Sequence, residues 1–120
     1  MINVDLNLDL EPELKRVDGV LGETYVGVLE CDLLLGDVVS LKHKRAVIRP
    51  ILARLRRMDV AVTEAGDPDR HRRALIAVAT VSSESAQVHL VLDTCERQVA
   101  GEVEVELLAT RRRLIGPHDE

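Results

Sequence analysis

Residues 25–35 read YVGVLECDLLL, and their side chains alternate between two sets, as they do in a β-strand. A glycine–aspartate turn follows, and Ser40 is placed to cap a helix. Apolar side chains then recur at helical spacing and predict a helix that ends near Arg57: Leu41, Ile48, Ile51, Leu52 and Leu55. Pro50 lies inside this helix and removes a backbone hydrogen bond, so we expect a kink or a restart there.

Four more elements are predicted after this helix. Residues 59–65 and 73–82 are rich in strand-forming residues and are separated by the turn formers GDPD. A second helix is predicted to begin with Ser82 or Ser83 as its cap and to end at Gly101. One side of it is apolar: Val88, Val91, Leu92, Cys95 and Val99. The alternation in EVEVELL predicts a last strand that turns Val103, Val105 and Leu107 inward.

The order βαββαβ predicts an α+β, ferredoxin-like sandwich, with an antiparallel four-stranded sheet and two helices on one face. The first and third strands are expected at the centre of the sheet. We assign residues 25–113 to this domain, 114–120 to a C-terminal tail and 1–24 to an N-terminal extension. Apolar and polar residues alternate over residues 2–10, which favours an added strand on an exposed sheet edge, with a disordered leader as the alternative.

The sheet face opposite the helices is expected to carry an apolar strip made of Val26, Val28, Leu34, Ile76 and Val78. A strip of this size is rarely left in water. We therefore predict a homodimer that covers it, and the N-terminal extension is the rival cover.

Composition limits the kind of protein this can be. The 120 residues carry a net charge of -5, and they include one tyrosine but no phenylalanine or tryptophan. Aromatic rings are the usual platform for stacking nucleic-acid bases, so recognition by stacking is not expected. No apolar run is long enough for a membrane helix and the acidic start differs from a signal peptide, which predicts a cytoplasmic protein without a membrane partner.

Positive charge is concentrated in the first predicted helix. Residues 40–57 contain seven Lys and Arg and no acid, which leaves nine Lys and Arg against 21 acids elsewhere. Cations at a helix N-terminus are locally unfavourable, but with the free backbone N–H groups they form a site for an anion or for RNA. The candidates are Ser40, Lys42, His43, Lys44, Arg45, Arg49 and Arg73. The alternative is a solvated amphipathic face with no ligand.

Signs of catalysis are weak. Glu30 and Asp32 share one strand face and could work as paired carboxylates, with Glu64 and His71 as further pocket candidates. The histidines and the two separate cysteines fit no metal or disulfide spacing, and no phosphate-binding or nucleotide-binding glycine motif is present. The sequence therefore predicts no metal, no cofactor and no catalytic residue, and it favours a protein that is not an enzyme.

Four segments carry a resemblance to a known family. They are VGVLECDLLL, then SLKHKR at residues 40–45, then VTE at 62–64, then RALIAVATVS at 73–82. Together they resemble the YlxP-like family of small bacterial proteins of unknown function, over residues 25–108. The resemblance implies a ferredoxin-like fold. Genes of that family often lie among those for translation initiation and small-subunit maturation, which implies a connection with RNA or the ribosome.

The chain departs from the family pattern in two places. His43 stands where the family usually has a glutamate that completes a capping box, which makes the helix head more basic. The segment before Arg73 lacks the tryptophan that is typical of the family, which suggests a divergent member.

Two functions are consistent with these observations. The first is a non-enzymatic accessory protein that binds RNA or a ribosomal particle through its basic first helix. The alternative is a dimeric protein that binds or converts a small anionic metabolite.

Overall fold

The computed structural model describes residues 22–118. It contains β1 (Tyr25–Leu35), α1 (Leu41–Arg56), β2 (Ala61–Glu64), β3 (Arg73–Ser82), α2 (Ser85–Ala100) and β4 (Val105–Ile115). The predicted N-terminal extension lies almost wholly outside the described residues. Within residues 22–118, neither helix is long and apolar enough to cross a membrane.

The strands form one sheet in the order β2-β3-β1-β4, and every neighbouring pair is antiparallel. This confirms the α+β, ferredoxin-like fold and the central position of the first and third strands. β1 and β3 pair over ten residues, and β1 and β4 pair along their full length with a bulge at Asp32 and Leu33.

The core lies between the helices and one face of the sheet. β1 contributes alternate residues from Leu29 to Leu35, and both helices contribute the apolar side predicted for them. Gly27 is a point of close approach between sheet and helix, because a Cβ there would lie 2.3 Å from a methyl carbon of Val88 and 2.9 Å from one of Leu92. A glycine at this position lets α2 pack directly on β1.

The helix ends are only partly as predicted. Ser40 caps α1 by accepting a hydrogen bond of 3.0 Å from the backbone N–H of His43, and the helix continues through Pro50. The prediction for α2 is wrong, because its cap is Glu84, which makes no side-chain capping bond. Ser82 instead accepts a hydrogen bond of 3.1 Å from the N–H of Glu84, which shapes the turn before the helix.

The sheet face predicted for Ile76 and Val78 is also wrong. Ile76 lies opposite Cys31 and Val78 opposite Leu29, so both belong to the covered face and are 0% and 1% exposed. Directly opposite residues of an antiparallel pair point to the same side. The apolar residues that β3 presents on the other face are Leu75, Ala77, Ala79 and Val81.

The last strand begins later than the sequence pattern suggests. Val103 was expected to face inward but is 96% exposed and precedes β4. The strand continues through the arginine run 111–113 to Ile115, so these three arginines project alternately from the two faces of the sheet.

Candidate functional site

Helix α1 is held in one orientation by its apolar side. Val47, Ile48, Ile51 and Leu55 are buried against the sheet and α2. Because these positions recur every three or four residues, the opposite side of α1 necessarily faces solvent.

The solvent side of α1 carries a row of positive charge, which we call the cationic stripe and define as Lys42, Arg45, Arg49 and Arg56. Steps of three, four and seven residues keep these side chains on one side of a helix, over about 21 Å at about 1.5 Å per residue. All four are exposed, and none forms an ion pair within the described part of the chain. A shallow depression of about 390 Å³ lies along the stripe, lined by Lys42, Arg45, Ala46, Arg49 and Pro50.

Lys44 is turned away from this stripe. Its side chain is 2% exposed, and Nζ lies 2.8 Å from Oε2 of Glu64 and 3.3 Å from the backbone oxygens of both Asp67 and Pro68. The contact with Glu64 is an ion pair between a buried lysine and a carboxylate that is 22% exposed. Lys44 thus ties α1 to β2 and to the loop after β2, and it is not accessible to a ligand on the solvent side.

Arg54 is also neutralised within the chain. Its Nε lies 2.9 Å from Oε2 of Glu102 and its Nη2 lies 2.5 Å from Oε1, and Gln98 donates a further bond of 2.9 Å to this carboxylate. The Arg54 guanidinium lowers the pKa of Glu102, because both hydrogen bonds favour the charged carboxylate. Of the seven cations in residues 40–57, five have no ion-pair partner within residues 22–118: Lys42, Arg45, Arg49, Arg56 and Arg57.

The first residues of α1 add little binding capacity to the cationic stripe. Ser40 is half-buried and its hydroxyl already accepts the N–H of His43, whose ring is exposed. Arg56 was absent from the sequence-based candidates. Its spacing of seven residues from Arg49 was the signal that could have found it.

Arg73 lies far from the stripe, on the sheet face that the helices do not cover. Its Nη2 lies 2.7 and 2.6 Å from the two carboxylate oxygens of Asp32. On the same face, Nε of Arg111 lies 2.8 Å from Oε1 of Glu30. Each acid of the predicted carboxylate pair therefore already forms an ion pair with an arginine.

The four pocket candidates are not brought together. Glu30 and Asp32 line a depression of about 380 Å³ on the uncovered face, whereas Glu64 points to the helix side of the sheet. His71 is exposed in the loop between β2 and β3. Within residues 22–118, no three histidine, cysteine or acidic side chains are arranged to hold a metal ion.

The two cysteines lie in the core. Cys31 and Cys95 are both buried, and burial raises the pKa of the Cys31 thiol to about 12 and also raises that of Cys95. A thiol with so high a pKa is a poor nucleophile at neutral pH, which agrees with a packing role.

Comparisons with known proteins agree with the family resemblance found in the sequence. Residues 26–112 match the family model described as protein of unknown function (DUF503). The uncharacterized protein YlxP of Bacillus subtilis (strain 168) is 33% identical over 87 residues, which are 72% of this chain and 95% of YlxP. Among solved structures, the de novo designed protein Foldit4 matches with a TM-score of 0.43 and 12% identity, over 82% of this chain and 99% of Foldit4. On the family match and the identity to YlxP, the chain belongs to the YlxP-like DUF503 family.

Proposed function

We propose that this protein is a non-enzymatic accessory protein that binds the phosphate backbone of structured RNA through the cationic stripe. The observation that carries the proposal is the alignment of Lys42, Arg45, Arg49 and Arg56 along one exposed side of α1 without acidic partners among the described residues. Fixed cations in a row attract a polyanion, and this attraction does not depend on base sequence.

Structured RNA is proposed, rather than single-stranded RNA, because the chain has so few aromatic residues. Single-stranded nucleic acid is usually bound by stacking its bases on aromatic rings. The one aromatic residue is Tyr25, whose hydroxyl donates to Glu23 at the start of β1, away from α1. A rigid helix with long cationic side chains instead suits a duplex, whose phosphates have a fixed spacing.

The neutralisation of Lys44 and Arg54 supports the same proposal. Both have carboxylate partners at 2.8 Å or less, so acids were available close to α1. Among the described residues the stripe nevertheless has none, although its first two cations, Lys42 and Arg45, lie near the helix N-terminus, where positive charge is unfavourable for the helix itself. A polyanionic ligand accounts for this unfavourable arrangement. We also propose a cytoplasmic location, which is consistent with an RNA partner and with the bacterial family that the sequence resembles.

A salt series with a matched variant tests the proposal. Binding of the full chain to an RNA hairpin is measured by fluorescence anisotropy between about 50 and 200 mM salt, where a backbone contact shows a steep salt dependence. Arg45→Gln with Arg49→Gln is expected to weaken binding at least tenfold and to reduce the salt slope by about 1.5, since each lost phosphate contact contributes about 0.7 to 0.9.

The control is Arg70→Gln with Arg97→Gln, which removes the same charge from exposed positions outside α1. This variant is expected to keep most of the affinity and the slope. Equal losses in both double variants, or binding by neither the variants nor the unchanged protein at about 50 mM salt, would contradict the proposal.

A further inference from the structure

The second surface of interest is the sheet face that faces away from the helices, which we call the open face. No element of residues 22–118 packs on it. It is formed by Val26, Val28, Glu30, Asp32 and Leu34 of β1, by Arg73, Leu75, Ala77, Ala79 and Val81 of β3, and by Glu106, Ala109, Arg111, Arg113 and Ile115 of β4. Apolar side chains therefore alternate with charged ones across the centre of the sheet.

The charges in the middle of the open face are already balanced. Glu30 pairs with Arg111, and Asp32 pairs with Arg73. Two charges near the ends of β4 are not balanced within the described residues. Arg113 and Glu106 are both exposed and have no ion-pair partner there.

Strand register fixes where these two unpaired charges lie. Arg113 is opposite Val28 of β1, and Glu106 is opposite Leu34. They are thus separated by six residues of β1, or about 20 Å at about 3.3 Å per residue. With respect to the described residues, the open face thus has an unpaired cation near one end of β4 and an unpaired anion near the other end.

We propose that two copies of the chain pack open face to open face, about a two-fold axis that crosses the strands at the level of Cys31. Such an axis lays each strand over its own copy in the reverse direction. Arg113 then lies over Glu106 of the partner subunit, and the same contact forms a second time by symmetry. An isologous interface requires this kind of self-complementarity.

The same axis also matches side-chain size and polarity. It places Val28 over the partner subunit's Leu34, and Ala77 over the partner subunit's Leu75, which sets a smaller apolar side chain against a larger one. Glu30 comes near Asp32 of the partner subunit, but each of these acids already forms an ion pair with an arginine of its own chain. The central cluster is therefore neutral as a whole, which reduces the electrostatic cost of removing it from water.

The size of the face suits a dimer. Three strands of about ten residues and the four-residue β2, spaced about 4.8 Å apart, cover roughly 550 Å² per copy. Two copies bury roughly 1,100 Å², which exceeds the about 1,000 Å² expected of a specific interface. The cationic stripe lies on the far side of the helix layer, so it stays accessible in this dimer, and neither proposal depends on the other.

A charge-swap experiment on the full chain tests the interface. The unchanged protein is expected to show twice the 13.3 kDa chain mass by light scattering at micromolar concentration. Arg113→Glu sets two carboxylates against each other and Glu106→Arg sets two cations, so each variant alone is expected to shift at least tenfold towards monomer. An equimolar mixture of the two variants restores both contacts, and it is expected to form a mixed dimer.

Arg97→Glu is the control, because it makes the same charge change on the exposed side of α2 and should leave the dimer intact. A monomeric unchanged protein, or a dimer that neither single variant weakens, would overturn the proposal. Two weakened variants that do not recover on mixing would show that the Arg113 to Glu106 pairing is wrong. Circular dichroism of each variant verifies that the fold is retained.

Discussion

The two faces of the sheet are built from alternate residues of the same strands, yet they differ in chemistry. On the covered face, Leu29, Cys31 and Leu33 of β1 are 0% exposed and belong to the apolar core. On the open face, Glu30 and Asp32 are the residues in between, and each is paired with an arginine. The difference shows that the covered face stabilises the chain, whereas the open face is neutral, partly apolar and suited to contact with another surface.

The largest expected effect comes from making one substitution on each face. Val78→Asp buries a carboxylate without a partner in the core and is expected to lower the free energy of unfolding by more than about 4 kcal/mol. Val28→Asp makes the same change beside Arg113 on the open face, and its cost to the fold is expected to be about 1 kcal/mol. Urea unfolding followed by circular dichroism measures both values.

Thiol labelling gives an independent test of the same pair of variants. Both cysteines are buried and have raised pKa values, so they should react slowly with a thiol reagent while the chain is folded. Val78→Asp is expected to expose both to rapid labelling, and Val28→Asp to leave them protected. Similar labelling rates in the two variants would contradict the assignment of these valines to different faces.

Strand alternation in the sequence predicted the elements and their order but not the phase of β3. In β1 only one of the two sets is wholly apolar, which identifies the core side. In β3 both sets are apolar, because Leu75, Ala77 and Ala79 alternate with Ile76 and Val78. Pattern alone therefore could not separate them, and the pairing of Ile76 with Cys31 is what settles the face.

The next largest expected effect is a loss of stability when the buried cation of Lys44, on the covered side of the sheet, is removed. Lys44→Met removes the cation that faces Glu64 and the carbonyls of Asp67 and Pro68. Loss of one partner from a buried ion pair leaves the other without compensation, and since Glu64 is 22% exposed we expect a loss of about 2 kcal/mol on unfolding in urea.

A matched control and a double-mutant cycle show whether the ion pair between Lys44 and Glu64 is responsible for this loss of stability. Lys42→Met changes an exposed lysine two residues away and should alter stability by less than about 0.5 kcal/mol. Lys44→Met combined with Glu64→Leu removes both charges and is expected to recover part of the loss, as in a double-mutant cycle. Glu64→Leu is also measured alone, and a double variant whose loss equals the sum of the two single losses would mean that Lys44 and Glu64 do not interact.

Lys44 also shows which part of the candidate site could not be predicted from the sequence. Charge density identified α1 as the basic element, and helical spacing could have separated the solvent side from the core side. The acids that neutralise Lys44 and Arg54 are 20 and 48 residues away in the sequence. Only the tertiary fold shows which cations stay free, and it leaves Arg73 on the other side of the sheet.

The smallest expected effect concerns the ion pair between Arg54 and Glu102 on the helix side of the sheet, and it is recognised by its pH dependence. Glu102 has a lowered pKa in the folded chain, so the folded state favours its charged form. Its stabilising contribution is therefore present above the unfolded value of about 4.5 and is lost as the pH falls through the lower folded value. Because Arg54 is 43% exposed, the contribution at pH 7 is expected to be below about 1 kcal/mol.

Glu102→Gln should then unfold in less urea than the unchanged chain at pH 7, and the difference in urea midpoint should disappear below pH 4. The control Glu104→Gln, which removes an exposed acid without a hydrogen bond to Arg54, should show a smaller gap at pH 7. A gap for Glu102→Gln that stays constant from pH 7 to pH 3 would mean that this ion pair does not stabilise the fold.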